Sequence, residues 1–74
     1  MNYTVDLTPQ VEEALAGLSE RGHHEIMESI AAMLVHPEAW PPGGVGAAWF
    51  GPCSWVLFTA YPDGIEVYDL GWLG

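Results

Sequence analysis

Positive charge is almost absent from this sequence. There is no lysine and one arginine, Arg21, against 10 Asp plus Glu, giving a formal net charge of −9 at pH 7. Proteins that grip a phosphate backbone do so with clustered Lys and Arg, so direct nucleic-acid binding is not expected. A surface of this sign instead attracts basic protein surfaces and speeds encounter with them, an effect that salt weakens.

Cysteine is equally scarce. Cys53 stands alone, which excludes an intrachain disulfide, and no Cys/His spacing resembles a zinc site. No metal or other cofactor is expected. Long apolar runs are missing too: nothing approaches the roughly 18 residues of a membrane span. The opening Met1-Asn2-Tyr3-Thr4 lacks a positive region followed by an apolar stretch. The expectation is a soluble, unprocessed, cytoplasmic chain that does not engage a membrane.

What is present is apolar bulk. Half of the 74 residues are hydrophobic, and Trp40, Trp49, Trp55 and Trp72 are large units of burial. A chain of this length makes one domain, residues 1–74, which buries only about 60% of the surface exposed when unfolded.

Tyr3, Val5 and Leu7 alternate with Asn2, Thr4 and Asp6, the period-two pattern of a strand over 2–7 with one buried face. Thr8-Pro9 then reads as an N-cap with proline at the first helical position. Val11, Ala14, Leu15 and Leu18 give that helix one apolar face, and Glu12 and Glu13 sit where its dipole favours negative charge. Residues 19–22 break it. A second helix is expected from about His23 to Val35, with Ile26, Met27, Ile30, Met33 and Leu34 as its stripe and His36-Pro37 as its stop.

Residues 38–44 form a connector rich in proline and glycine, anchored by Trp40 against the core. Three strands follow, at about 45–50, 54–61 and 65–70. Gly51-Pro52 reverses the chain between the first pair. Pro62-Asp63-Gly64 reads as a hairpin turn in which proline presets φ and glycine supplies a positive φ. The order is β-α-α-β-β-β: an α+β domain with a helical hairpin packed on a small, mainly antiparallel sheet.

The strand over 54–61 is apolar on both sides. Trp55, Leu57, Thr59 and Tyr61 share one face and Val56, Phe58 and Ala60 the other. One face meets the helices; the other needs either the C-terminal residues or a partner to cover it.

In order and spacing, nearly the whole chain resembles the RelE/ParE toxin superfamily of toxin–antitoxin systems. The resemblance rests on the opening Tyr3-Thr4-Val5-Asp6-Leu7-Thr8-Pro9, the helical hairpin, the Pro-and-Trp connector and the three-stranded meander. Gly51-Pro52-Cys53-Ser54-Trp55-Val56-Leu57-Phe58 stands where family members place a glycine shortly before a strand reading aromatic-Arg-Val-apolar-Tyr. The resemblance implies a toxin, either a ribosome-dependent mRNA nuclease or a gyrase poison, held inactive by an antitoxin. Such a nuclease cuts by in-line attack of a ribose hydroxyl, which needs a base, an acid and cations to neutralise the developing charge. This sequence departs at those places. Trp55 occupies the arginine position, and Leu70-Gly71-Trp72-Leu73-Gly74 replaces a tail containing His and Arg. No catalytic residue is assigned, and ribonuclease activity is not expected.

The function read from these residues is a non-catalytic protein-interaction module, with Trp49, Trp55, Tyr68, Trp72, Glu66 and Asp69 as the candidate interface. The partner is an antitoxin-like or basic protein. Asp6, Glu66 and Asp69 form a carboxylate row if the first strand pairs with the last. Asp69 shares parity with Ile65 and Val67, so it points inward unless a bulge shifts it. Three alternatives stay open: a surviving toxin component, an acidic nucleic-acid mimic of the kind encoded by phages or mobile elements, and a homodimer covering the aromatic surface.

Other titratable groups have plainer explanations. His24 and Glu28 stand at i, i+4, a spacing that suits a metal, but no third ligand follows and a surface pair suffices. His36 suits the negative end of its helix. Cys53 has no cationic neighbour and reads as a small buried hydrophobe. Arg21, in the turn between helices, is expected to pair with Glu20 or Glu25.

Overall fold

The computed structural model describes residues 3–74. It contains β1 (Thr4–Leu7), α1 (Pro9–Ala16), α2 (Glu20–Val35), a 3-10 turn (Pro37–Ala39), β2 (Gly46–Phe50), β3 (Ser54–Tyr61) and β4 (Gly64–Trp72). The four strands form one sheet in the order β1-β4-β3-β2. β1 runs parallel to β4, and the other two pairings are antiparallel. This is the expected α+β arrangement of a helical pair on a mainly antiparallel sheet.

Local chemistry sets the helix starts. The Thr8 hydroxyl accepts from the Val11 N–H at 3.3 Å, with Pro9 at the first helical position. Ser19 does the same for α2, accepting from Gly22 N–H at 3.2 Å. The second helix therefore begins at Glu20, three residues before the expected His23. Each such cap contributes on the order of 1 kcal/mol by satisfying an N–H that the helix cannot. Arg21 consequently lies in the first turn of α2, not in the turn between helices.

The core lies between the helices and one face of the sheet. Val11 and Leu15 of α1 and Ile26, Ile30 and Met33 of α2 close over Val56, Phe58 and Ala60 of β3 and Ile65 and Val67 of β4. Trp40 packs against this cluster, and its indole N–H donates to the Met33 carbonyl at 2.8 Å near the end of α2. The Tyr3 ring meets the Trp40 ring edge to face, with centroids 4.9 Å apart. The connector is pinned as expected. Its reversal uses Gly44 at φ 81°, with Val45 N–H donating to Pro42 O.

The last hairpin forms where expected, but glycine serves it differently. Gly64 pairs with Tyr61 and has no positive φ. A Cβ there would collide with the Thr4 carbonyl, because β1 lies directly alongside with Thr4 opposite Gly64. The glycine makes room for the parallel strand. β4 also runs beyond the expected 65–70, to Trp72. The C-terminal residues thus extend the sheet edge to edge with β3 and do not fold across its second face; Leu73 N–H donates to Cys53 O at 2.8 Å.

Candidate protein-interaction site

Alternation along β3 divides the sheet. Ser54, Val56, Phe58 and Ala60 are buried beneath the helices, while Trp55, Leu57, Thr59 and Tyr61 face away from them. No helix or loop covers that second, outer face among the described residues. It carries Tyr61 and, from β2, Phe50, which is 75% exposed.

A β-bulge decides what β4 adds. Phe58 pairs with Val67 and Leu57 with Asp69, so Tyr68 is the extra residue. The bulge resets the parity of the strand, turning Asp69 outward where simple alternation would bury it. Tyr68 shares that face and reaches across β3, its hydroxyl resting against the Cα side of Gly46 on β2. Trp55 lies flat over Gly71 of the adjoining strand, where any Cβ would clash with its six-membered ring. Two glycines thus receive two aromatic rings on the outer face.

Carboxylates line the β1 side of this surface. Asp6 stands beside Glu66 in the parallel register, and Asp69 follows beyond the bulge, its Oδ1 accepting from Leu70 N–H at 2.9 Å. The basic side chains are elsewhere: Arg21, His23 and His24 belong to α2, and His36 caps its end. The outer face is therefore aromatic and acidic, with no basic side chain among the described residues.

The six candidate interface residues divide. Trp55, Tyr68, Glu66 and Asp69 come together on the outer face. Trp49 and Trp72 point to the helical side. Trp49 packs against the core, and the Trp72 ring lies on Gly22 of α2, about 3.0 Å from where a Cβ would be. Strand parity explains both: Trp49 pairs with the buried Val56 and Trp72 with the buried Ser54. Leu57, Tyr61 and Phe50 join the face in their place.

Glu25 is the residue whose role the helical pattern concealed. It reads as a favourable charge in the first turns of a helix, yet its Oε2 accepts from the Cys53 backbone N–H at 2.9 Å and from the Ser54 hydroxyl. It ties α2 to the β2–β3 turn across 28 residues of sequence. Arg21 accordingly forms no ion pair with it among the described residues. Cys53, at this turn, is exposed rather than buried.

His24 Nε2 and Glu28 Oε1 are 2.9 Å apart on an open helix surface. No group of three His, Cys, Asp or Glu able to hold a metal ion occurs among the described residues. His36 pairs with Glu38 at 2.9 Å instead of acting only on the helix dipole. The Glu38 carboxyl is held below its ordinary pKa by a backbone hydrogen bond and by the hydrogen bond from His36. No helix is long and apolar enough to cross a membrane among the described residues.

No family model matches the sequence, and no curated protein matches it. The three-dimensional structure is similar to a chain of the archaeal RelE–RelB complex from Pyrococcus horikoshii OT3. The TM-score is 0.73 at 16% sequence identity, with 100% of this chain and 98% of that chain covered. The chain has a RelE-like fold.

Proposed function

We propose that the protein is a non-catalytic interaction module that holds a basic protein surface against the outer face of its sheet. The observation that carries this reading is the composition of that face: Trp55, Tyr61 and Tyr68 beside Asp6, Glu66 and Asp69, uncovered and without a basic side chain among the described residues. Aromatic faces attract Lys and Arg through the ring quadrupole, and adjoining carboxylates complete the pairing. The charge of −9 steers such a partner from a distance. In-line ribose cleavage would need cations at the phosphate, and the described residues of this face include no basic side chain.

The RelE-like fold, seen in a complex of RelE with RelB, favours a partner of the antitoxin kind as the specific form of this reading. A toxin-like component retaining activity on a large target is the second reading. Production of the chain alone would then arrest growth, and a small neighbouring gene would relieve the arrest.

The test is affinity capture from the source cells at low and moderate salt, with Glu66→Gln/Asp69→Asn and Tyr61→Ala chains in parallel. A partner retained by the native chain, weakened by salt and lost with the double variant is the expected result. Equal capture by all chains would overturn the assignment of the face. A phosphate-mimicking role predicts in addition that the captured protein releases its nucleic acid.

A further inference from the structure

The charge of this protein is unevenly placed. No Asp, Glu, Lys, Arg or His occurs between Glu38 and Asp63, although the remainder holds every one of the acidic residues. That interval supplies all of β2 and β3. β2 is an edge of the sheet, and β1, bearing Asp6, is the opposite edge. Edge strands normally carry Lys, Pro, a bulge or an inward charge that prevents another strand from docking. Gly46-Ala47-Ala48-Trp49-Phe50 has none of these, and its register with β3 is unbroken.

The free hydrogen-bonding groups of this edge follow from the ladder. Gly51 N–H donates to Ser54 O at 2.9 Å, which makes Gly51 and Ser54 a hydrogen-bonded pair. Antiparallel pairs alternate between bonded and non-bonded. Trp49 and Ala47 therefore direct their N–H and C=O toward β3, and Phe50, Ala48 and Gly46 direct theirs outward.

We propose that β2 pairs antiparallel with β2 of a second copy of this chain, about a two-fold axis through Ala48. In that register Ala48 faces Ala48 of the second copy, and Gly46 faces Phe50, all through the outward-directed backbone groups. The side chains fit the symmetry. Phe50, exposed in the single chain, comes to lie beside the Tyr68 ring end that rests over Gly46 of the second copy. On the helical side Trp49 stands opposite Ala47.

Charge selects the second copy at this edge. Two chains of −9 repel wherever their acidic surfaces meet, and this pairing separates Asp6 and Glu66 of each copy by the full width of β3 and β2. The flank beside β2 also carries the chain's one arginine. A groove of about 440 Å³ between α2 and β2 is lined by Arg21 and His24 together with Glu25 and Glu28. The axis is perpendicular to the sheet, so both outer faces lie on one side of a continuous sheet. The inference holds whatever that face binds.

The experiment is sedimentation of the full chain from low to high micromolar concentration, at low and moderate salt, beside Ala48→Pro. A dimer is expected that tightens as salt screens the repulsion, the opposite of a basic partner's response. Proline at 48 deletes an outward N–H and leaves the β3 ladder intact; it should weaken the dimer on the order of tenfold or more, with unchanged circular dichroism. Should that variant not fold, amide exchange of the native chain decides: Gly46, Ala48 and Phe50 should gain protection with concentration while Ala47 and Trp49 stay protected throughout. A monomer at high micromolar concentration in moderate salt overturns the proposal. So does a dimer that survives Ala48→Pro in a folded chain, or one broken instead by Met27→Glu in the apolar groove between α2 and β1.

Discussion

The hydroxyl of Tyr68 lies 2.5 Å from the point where a Cβ of Gly46 would stand, so a residue of β4 reaches past β3 to touch β2. The contact exists because the bulge opposite Leu57 and Phe58 places Tyr68 on the outer face. Gly46→Ala should therefore displace the ring's flexible end at little cost, under about 1 kcal/mol in denaturant unfolding. The same variant should weaken partner capture more than it weakens the fold. Nuclear Overhauser contacts from Tyr68 to residue 46 would report the displacement.

Gly64→Ala meets a different obstacle. The added methyl collides with the Thr4 carbonyl, a backbone atom held by Thr4 N–H donating to Asp63 O at 2.8 Å. Neither strand can yield without parting β1 from β4, and a loss of about 3 kcal/mol is expected. Amide exchange should show Thr4 and Asp6 opening before β3, whose ladder lies elsewhere.

Glu25→Ala removes the acceptor for Cys53 N–H and for the hydroxyl of buried Ser54. A loss of about 1–3 kcal/mol is expected because a largely shielded polar group is left without its partner. Glu25→Gln retains an acceptor oxygen and should recover part of that stability. Equal thermal unfolding of both variants and the native chain would show that water replaces the carboxylate at no cost.

The pair formed by His36 and Glu38 predicts a pH signature. Glu38 titrates below the ordinary carboxylate range, held there by its backbone hydrogen bond and by His36. A depressed folded pKa means that the contact's contribution is present above the unfolded value and lost as pH falls through the folded one. His36→Ala should move the Glu38 titration upward by NMR, with the backbone contribution remaining.

Much of this architecture is written in short-range signals. Thr8-Pro9 and Ser19 act on N–H groups within three residues, and the alternation of residues 54–61 assigns each side chain a face before any partner strand is known. His23 is too late a start for the second helix because residues 19–22 read together as a break, whereas Ser19 caps and Gly22 makes room for Trp72. Asp69 carried its own warning, since its parity with Ile65 and Val67 required either burial or a bulge, and the bulge occurs.

The candidate surface was legible in part for the same reason. Trp55, Tyr68, Glu66 and Asp69 fall together once β4 lies beside β3, but Trp49 and Trp72 turn inward through pairings with Val56 and Ser54. Aromatic content alone does not reveal the side a ring takes. Register does.

By itself the sequence determines the charge of −9, the scarcity of cations, the order of elements and the capping of the first helix by Thr8. These depend on composition or on atoms a few residues apart. Only the tertiary structure decides that β1 inserts parallel to β4 against Gly64, that Glu25 fastens a turn 28 residues away, and that a charge-free strand is left at the sheet edge. Those outcomes depend on which distant segments pack together to bury the apolar faces, and local periodicity does not specify that choice.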